Sequence, residues 1–336
     1  MTAVTPTPGE APAEEPALRR ALRPRGLVWT LLSLHRAALL FWVLLVAVAG
    51  GTLLWAYGPG TDGAWSEYRT MRCAFSGEED LSCDYTGEAF LALDAATYLG
   101  AMIITVVPFL VAVWAGAALI ARELETGTAE VAWTQSVSPA RWLTAKLAVP
   151  AALIASGTAL LVLLHRLVWP SNRELLRWLD WQWYDDLPFR SNGPVAVAYA
   201  LLGLAVGVLV GLLVRRSLPA LGISLVCLLA VHFLLGALRP YLWPSVTLTT
   251  TEDYPVFSGM PVDDGGITPI GSHVPNPCGG EDPGCLTQHH IVGFYVDHHP
   301  PSHFWPLQLT ETGIVLALTA LAVLASFRLL HHRTAA

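Results

Sequence analysis

Long stretches without any charged side chain constrain this chain more than any other feature. Residues 37–57, 95–120, 147–164, 194–214 and 217–238 contain no Asp, Glu, Lys or Arg, and a sixth, shorter run follows Glu311 and continues to Phe327. A bilayer core about 30 Å thick is crossed by about 20 apolar residues at helical rise. Arg328 can reach the interface through its flexible side chain. One soluble domain has no room for six uncharged helices of this length, so we predict an all-α integral membrane protein with six transmembrane helices.

The distribution of basic residues predicts the orientation, because cytoplasmic loops carry an excess of Arg and Lys. With both termini placed in the cytoplasm, twelve basic residues fall inside and seven outside, although the outer segments are longer. Six acids fall inside and twenty outside. We therefore expect cytoplasmic N- and C-termini in a multi-pass protein of the plasma membrane. Since the acidity lies on the outer face, it gives no argument about nucleic acid, and we expect no nucleic-acid partner.

These features divide the chain into three parts. Residues 1–17 are rich in Pro, Ala, Thr and Glu and should form a disordered cytoplasmic tail. Residues 18–36 combine arginines with apolar side chains, which predicts an amphipathic helix in the inner interface of the bilayer; a charged flank that only sets the topology is the alternative. Residues 37–336 should form the transmembrane domain, with outer loops at about 58–94, 165–193 and 239–310.

The cysteines agree with this orientation. Cys73 and Cys83 fall in the first predicted outer loop, and Cys278 and Cys285 fall in the last. Close pairs on the predicted outer face indicate two disulfides in an oxidising space, which gives disulfide-bearing outer loops. Zinc binding by the four thiols is the alternative, but the tight C-x₂-C spacing of zinc modules is missing. Cys227 lies in a predicted span and reads as a small hydrophobic residue.

Aromatic rings crowd the second predicted outer loop: Trp169, Trp178, Trp181, Trp183 and Tyr184. Aromatic residues at headgroup depth usually anchor a protein to the membrane interface, so an interfacial or re-entrant helix is the first interpretation. A substrate-exit vestibule lined by these rings is the alternative.

The last predicted outer loop ends in a histidine-rich stretch that contains His289, His290, His298, His299 and His303. Pro300 and Pro301 break any helix that would place His299 and His303 on one face, and no spacing matches a zinc motif. We predict no metal site here and an extended segment at "IVGFYV". His232, in the fifth predicted span, reads as a polar packing residue.

The polar segment Ala121–Lys146 lies between the second and third runs, on the predicted inner face. Gly127-Thr128 interrupts the helix and permits a turn, so a short helix capped by Thr128 should follow. Ser138-Pro139 is typical of a helix start. We therefore predict a helix end, a short transverse helix and a sharp new helix, which together form a rigid cytoplasmic loop.

The same segment resembles a known family. Glu123-x-x-x-Gly127-Thr128, Thr134-Gln135-Ser136-Val137-Ser138 and Arg141-Trp142-x-x-x-Lys146 resemble the inner loop of ABC-2-type ABC transporter permeases, most closely their actinobacterial branch. Many relatives have proline where this chain has Ser136, and a basic residue where it has Pro139. The resemblance covers about 26 residues specifically, while the six spans match the family's topology more loosely.

The resemblance implies an export permease. Two such subunits, identical or different, would pair with cytoplasmic ABC ATPase subunits that use ATP and Mg²⁺, and this chain itself would bind no cofactor. The inner segment would be the coupling helix that docks on the ATPase. The residues implied in coupling are Glu123, Glu125, Gly127, Thr128, Val131, Thr134, Gln135, Ser138 and Arg141.

The chain lacks the usual phosphate-binding loop, which needs the pattern G-x-x-x-x-G-K-[ST]. Its single lysine, Lys146, follows Ala145 and precedes Leu147. We therefore expect no ATPase activity in this chain, and an ATP-driven exporter of a small molecule, lipid or peptide needs a separate ATPase polypeptide. A non-transporting sensor or scaffold on the same fold, and a membrane enzyme with a histidine-rich extracellular site, are the alternatives.

Overall fold

Six long helices form the body of the protein. The computed structural model describes residues 26–70, 87–135, 137–178, 181–278 and 282–334. Within these residues, six helical stretches are long and apolar enough to cross a membrane, numbered here as spans one to six: Arg36–Thr70, Glu88–Glu125, Pro139–Ser171, Val195–Val214, Ser217–Tyr241 and Pro301–Thr334. The predicted class, an all-α membrane protein with six transmembrane helices, is confirmed. The tail predicted for residues 1–17 lies outside the described residues.

A short helix precedes the first span. Helix α1 covers Leu27–Leu34, and after His35 helix α2 runs over Arg36–Trp55. Helix α1 falls within the predicted interfacial helix 18–36, of which residues 18–25 lie outside the described part. Trp29 and Leu34 are largely exposed, which gives α1 an apolar surface of the kind that suits a membrane interface.

The helix of the first span continues beyond the predicted loop boundary at residue 58. A π-helical turn, Ala56–Gly60, contains Pro59 and joins α2 to helix α3, Thr61–Thr70. Proline has no N–H to donate, and the wider turn accommodates it without ending the helix. Beyond residues 71–86, helix α4 covers Glu88–Trp114. Helix therefore occupies both described ends of the loop predicted at 58–94.

The second span continues from α4 through a π-helical segment, Ala115–Ala121, into helix α5, Arg122–Glu125. Helix α6, Thr128–Gln135, then stands alone between spans two and three. Helix α7, Pro139–Ser171, forms the third span.

The fourth span, helix α10 (Val195–Val214), is the most deeply buried of the six. It packs closely against α4 through glycines that recur at four-residue spacing. A Cβ added at Gly203 would lie 2.3 Å from the carbonyl oxygen of Pro108, and one added at Gly207 would lie 2.5 Å from that of Ala112. Small residues at this spacing let two membrane helices approach closely, so α10 forms the centre of the bundle.

Two short helices follow the third span at the predicted outer end: α8 (Arg173–Trp178) and α9 (Asp186–Ser191). Residues Pro188–Ser191 of α9 are buried, and α9 packs against α4, α7 and α10. The loop predicted at 165–193 is therefore helical over much of its described length, and part of it fills the outer end of the bundle.

The last predicted outer loop contains a small antiparallel sheet. Helix α11 (Ser217–Leu238) and a 3₁₀ turn (Arg239–Tyr241) lead into strands β1 (Val246–Thr250), β2 (Met260–Ile267), β3 (His273–Val274) and β4 (Gly293–His299), which lie in the order β1-β4-β2-β3. In the centre, Val296 pairs with Leu248 of β1 and Asp264 of β2. The segment predicted to be extended is thus mostly strand β4. Helix α12 (Pro283–Gln288) lies between β3 and β4, and helix α13 (Phe304–Thr334) forms most of the sixth span.

Candidate functional site

The segment between spans two and three has the predicted order of elements. Gly127 turns the chain with φ 72°, a left-handed conformation that residues with a Cβ disfavour. Its carbonyl accepts hydrogen bonds from the N–H groups of Glu130 and Val131 at 3.1 and 3.3 Å, so Gly127 caps α6. The predicted cap, Thr128, is instead the first helical residue. Its hydroxyl donates to the carbonyl of Glu123 at 3.2 Å and holds the turn from inside.

Ser138 and Pro139 begin the third span as the sequence predicts. The hydroxyl oxygen of Ser138 accepts a hydrogen bond from the N–H of Arg141 at 3.4 Å, and Pro139 takes the first helical position. Such a cap satisfies an N–H that has no partner within the helix. The start of α7 is therefore fixed locally, while the side chain of Arg141 stays exposed.

A buried ion pair joins the two ends of this segment. The ammonium group of Lys146 on α7 contacts Oε1 of Glu123 on α5, and the two side chains are 4% and 15% exposed. The indole N–H of Trp142 donates to Oε2 of the same carboxylate at 3.3 Å. Because burying a charge costs much free energy unless it is paired, these contacts hold α5 against α7.

Lys146 also reaches the first and second spans. It donates to the carbonyl of Leu119 at 3.2 Å and lies 3.4 Å from Nε2 of His35. Burial lowers the pKa of His35, and the charge of Lys146 lowers it further. The imidazole is therefore neutral at pH 7 and accepts this hydrogen bond. Lys146 thus links the α1–α2 junction, the end of span two and the start of span three. We call the cluster of Lys146, Glu123, Trp142 and His35 the Lys146 latch.

Glu125 connects the segment to the fifth span. Its Oε2 accepts hydrogen bonds from the backbone N–H of Ser217 at 3.0 Å and from the Ser217 hydroxyl at 2.6 Å. Ser217 is the first residue of α11, where negative charge is favourable because the N–H groups of the first turn point toward it. Glu123 and Glu125 therefore both hold the segment against the spans.

Helix α6 presents an outward face. Val131 is 56% exposed, and Glu130 and Thr134 are exposed beside it. On the opposite face Trp133 is half-buried and packs edge-to-face on Trp142 at 5.6 Å between ring centroids. One face of the helix thus anchors it to the bundle, and the other offers an apolar centre with polar neighbours.

The predicted coupling residues therefore separate into three groups. Glu123, Gly127, Thr128 and Ser138 shape the segment, Glu125 ties it to span five, and Val131, Thr134 and Arg141 are exposed; the side chain of Gln135 lies outside the described part. The prediction did not include Lys146, Trp142 or His35. A lone lysine in a chain of arginines was the signal that could have found the latch.

A second ionic cluster, at the predicted outer end, was not predicted. Glu311 is fully buried, and its Oε2 accepts a hydrogen bond from Nε of Arg239 at 3.0 Å. Its Oε1 lies 3.6 Å from Nη1 of Arg190 and accepts a hydrogen bond from the hydroxyl of Tyr199 at 3.0 Å. Each of these charges stands near the end of an apolar run, where a charged flank is ordinary, so no local pattern in the sequence indicates that they meet.

Asp186 completes the outer cluster. Its carboxylate lies 2.7 Å from Nε of Arg190, 3.3 Å from Nη2 of Arg239 and 3.4 Å from Nε2 of His232. Burial alone would raise the pKa of Asp186, but the contact with His232 and the two guanidinium groups outweigh it and hold this pKa well below its usual range. His232, predicted to be a packing residue, thus contacts an acid directly. The two acids balance the charge of the two arginines. Their contacts, with those of Tyr199 and His232, join α9 to spans four, five and six.

The outer cysteines and histidines stand apart from both clusters. Cys278 and Cys285 form a disulfide with Cα atoms 5.6 Å apart, whereas Cys73 and Cys83 lie outside the described residues. Nδ1 of His299 lies 3.0 Å from Nδ1 of His303, and Nε2 of His299 lies 2.8 Å from the carbonyl oxygen of Pro240. No helix runs through Pro300 and Pro301, as predicted, but the 3₁₀ turn Pro301–His303 still brings His303 next to His299.

Comparison with known proteins gives one family. The sequence model of the family described as "ABC-2 membrane transporter related" matches residues 43–239, more than half of the chain. The match includes the whole segment from α5 to Lys146 and ends before the sheet. No curated protein and no solved structure match the chain.

Proposed function

Because the chain belongs to the ABC-2 membrane transporter related family, we propose that it exports a small molecule, lipid or peptide, driven by ATP hydrolysis in a separate subunit. The chain is a multi-pass membrane permease subunit of an ABC transporter, and its partners are ABC ATPase subunits. In this proposal ATP and Mg²⁺ bind to the ATPases. Two permease subunits, identical or different, complete the transporter.

The exposed face of α6 carries this proposal. A helix that transmits a push from a soluble partner needs an outward surface and a stiff attachment. Val131, Glu130 and Thr134 provide the surface, with an apolar side chain at its centre as in the core of a protein interface. The half-buried ring of Trp133 and the capped turn at Gly127 provide the attachment.

Movement of α6 reaches four spans through polar contacts. The Lys146 latch connects α5, the end of span two, to span three and to His35, directly before span one. Glu125 connects the same short helix to the first turn of span five. A displacement of α6 is therefore resisted by buried and capped groups rather than absorbed in a flexible loop, and the spans move with it. We infer that Glu123 and Glu125 transmit the motion, whereas Val131 and Thr134 make the partner contact.

A matched pair of substitutions tests the docking face. We expect Val131→Asp to weaken binding of the ATPase subunit and to abolish its stimulation, because a carboxylate at the apolar centre loses its hydration when the partner docks. Val256→Asp is the control, because Val256 is 97% exposed and lies in the predicted outer segment. Both variants are compared at equal membrane levels, by co-purification with the partner ATPase subunit and by ATPase stimulation after reconstitution.

The outcome separates the alternatives. Loss of binding and stimulation in the Val131 variant alone supports coupling through α6. Normal binding and stimulation in both variants would overturn this role and leave the segment as a topology signal. A wild-type complex that assembles and hydrolyses ATP, yet exports nothing in cells, would instead indicate a sensor or scaffold.

A further inference from the structure

A large cavity opens at the predicted outer end, and no residue of the two ionic clusters lines it. Its volume is about 1110 Å³. It lies between the outer ends of spans one and three on one side and the loop before β2 on the other. Six aromatic residues line it: Trp65, Trp169, Trp181, Trp183, Tyr184 and Phe257. Pockets for drug-sized molecules are about 300–1,000 Å³, so this cavity accommodates a ligand with several rings.

The rings are fixed in position. The indole N–H of Trp65 donates to the carbonyl of Ser171 at 3.4 Å, and that of Trp181 donates to Asp94 at 3.0 Å. Trp169 and Trp181 stand 6.0 Å apart between centroids with a 53° tilt. Rings held at an angle in this way present their aromatic faces in different directions. A rigid ligand with flat apolar faces can stack on such rings, whereas a flexible alkyl chain makes no use of their orientation.

Polar groups of the lining complement the rings. Ser171, Gln182 and Ser258 line the same cavity. These side chains offer hydroxyl and amide groups that can hydrogen-bond to a ligand. The lining therefore favours a ligand that carries hydrogen-bonding groups at its edge over one made only of hydrocarbon.

The cavity carries no net charge. Among the described lining residues the charged ones are Arg173 and Glu174, adjacent in sequence and opposite in sign. A strongly cationic ligand finds no cluster of acids there, and an anionic ligand finds no cluster of bases. The chemistry of the lining therefore fits a neutral molecule.

We propose that this cavity binds a neutral glycoside, a molecule whose sugar rings have apolar C–H faces and hydroxyl groups around the edge. The C–H faces stack on the electron-rich faces of the tryptophans, and the hydroxyls bond to the polar lining. As the exit site of the exported substrate, the cavity would limit that substrate to amphiphiles with a sugar-like head. This last step rests on the proposed export function, whereas binding itself does not.

Binding is measured on the purified full-length chain in lipid nanodiscs, without ATPase. The probe is octyl glucoside below its micellar concentration, followed by tryptophan fluorescence, and octanol and phosphocholine are the comparison ligands. We expect saturable binding of octyl glucoside and at least tenfold weaker binding of octanol and phosphocholine. Trp169→Ala should weaken binding of octyl glucoside about tenfold, since stacking on one ring is worth about 1–3 kcal/mol by analogy with stacked bases.

Two further variants guard against misfolding and nonspecific signals. Ser258→Trp adds a large ring from an exposed loop position and should block the cavity without disturbing the bundle. Trp29→Ala removes an exposed ring at the opposite end and should change nothing. Equal binding of octanol or phosphocholine, or unchanged binding in both cavity variants, would overturn the proposal. Glycoside binding without any stimulation of the partner ATPase would contradict export and leave the binding site standing.

Discussion

The ammonium group of Lys146 lies against the carboxylate of Glu123, so the single lysine of the chain pairs with an acid at the end of the second span. The pair is almost fully buried, and each partner has further hydrogen bonds, to Leu119 and Trp142 respectively. It therefore fixes the short helix α5 in the position from which the chain turns into α6. Stability and coupling should depend on the same contact.

Removing one partner of this pair should destabilise the protein more than removing both charges. Lys146→Met leaves Glu123 buried without its counter-charge, and breaking a buried pair in this way costs about 3–5 kcal/mol. The double variant Glu123→Gln with Lys146→Met removes both charges and should recover much of that loss. Thermal unfolding in detergent of the wild type, Glu123→Gln, Lys146→Met and the double variant gives the double-mutant cycle. Glu130→Gln, an exposed acid of the same segment, is the control. Additive effects of the two substitutions would show that the pair does not couple.

The buried environment of His35 predicts a loss of stability in mild acid. Burial and the charge of Lys146 lower its pKa in the folded protein, whereas the unfolded chain has a pKa of about 6.5. Below about pH 6.5 the unfolded state therefore binds the proton first, and stability falls until the pH reaches the lower folded pKa. His35→Gln should reduce this dependence below about pH 6.5. Unfolding midpoints against pH for wild type, His35→Gln and the exposed-site control His331→Gln test the idea, and equal slopes in all three would contradict it.

Because Gly127 is in a left-handed backbone conformation, the effect of replacing it should depend on how well the new residue adopts that conformation. Nothing lies within 4 Å of a Cβ added there, so any effect comes from φ and not from a clash. Valine in this conformation costs about 1–2 kcal/mol, which lowers the population of the native turn roughly 5- to 30-fold relative to alternatives of similar energy. Asparagine tolerates the conformation better. ATPase stimulation should thus fall steeply in Gly127→Val and much less in Gly127→Asn, at equal expression; equal activity of the two variants would remove the turn from the coupling route.

The outer ionic cluster should behave as a lock on the outer end. Glu311 is fully buried between Arg239 and Arg190, so Glu311→Ala strands two buried guanidinium groups and should cost about 3–5 kcal/mol. Glu311→Gln keeps the volume and one hydrogen-bond acceptor and should cost less. The exposed Asp253→Asn is the control. Thermal unfolding ranks the variants, and a Glu311→Ala protein as stable as the control would show that the cluster contributes nothing to the fold.

The pattern of apolar and charged residues predicted the features that depend on local chemistry, namely the spans and the helix boundaries. The uncharged runs placed all six spans, and Gly127 and Ser138-Pro139 placed the boundaries of α6 and α7, because solvation by lipid and backbone preference act residue by residue. Contacts between distant residues left no local pattern. Glu311 and Arg239 are 72 positions apart, and each alone reads as a charged flank. The sheet was missed for the same reason, since β1 and β4 pair across a long stretch rich in Pro and Gly.

The orientation is the premise of every statement about inner and outer faces, and introduced cysteines test it. Arg216 and Val256 are both exposed and lie on opposite faces by the distribution of charge. In intact cells an impermeant thiol reagent should label Val256→Cys and should reach Arg216→Cys only after permeabilisation. The parent chain, without an introduced cysteine, gives the background labelling. This background is low if the four loop cysteines are oxidised, Cys278 with Cys285 and Cys73 with Cys83 as predicted. Reduction before labelling should raise that background. Labelling of Arg216→Cys alone in intact cells would reverse the topology and place α6 outside, where no cytoplasmic ATPase could reach it.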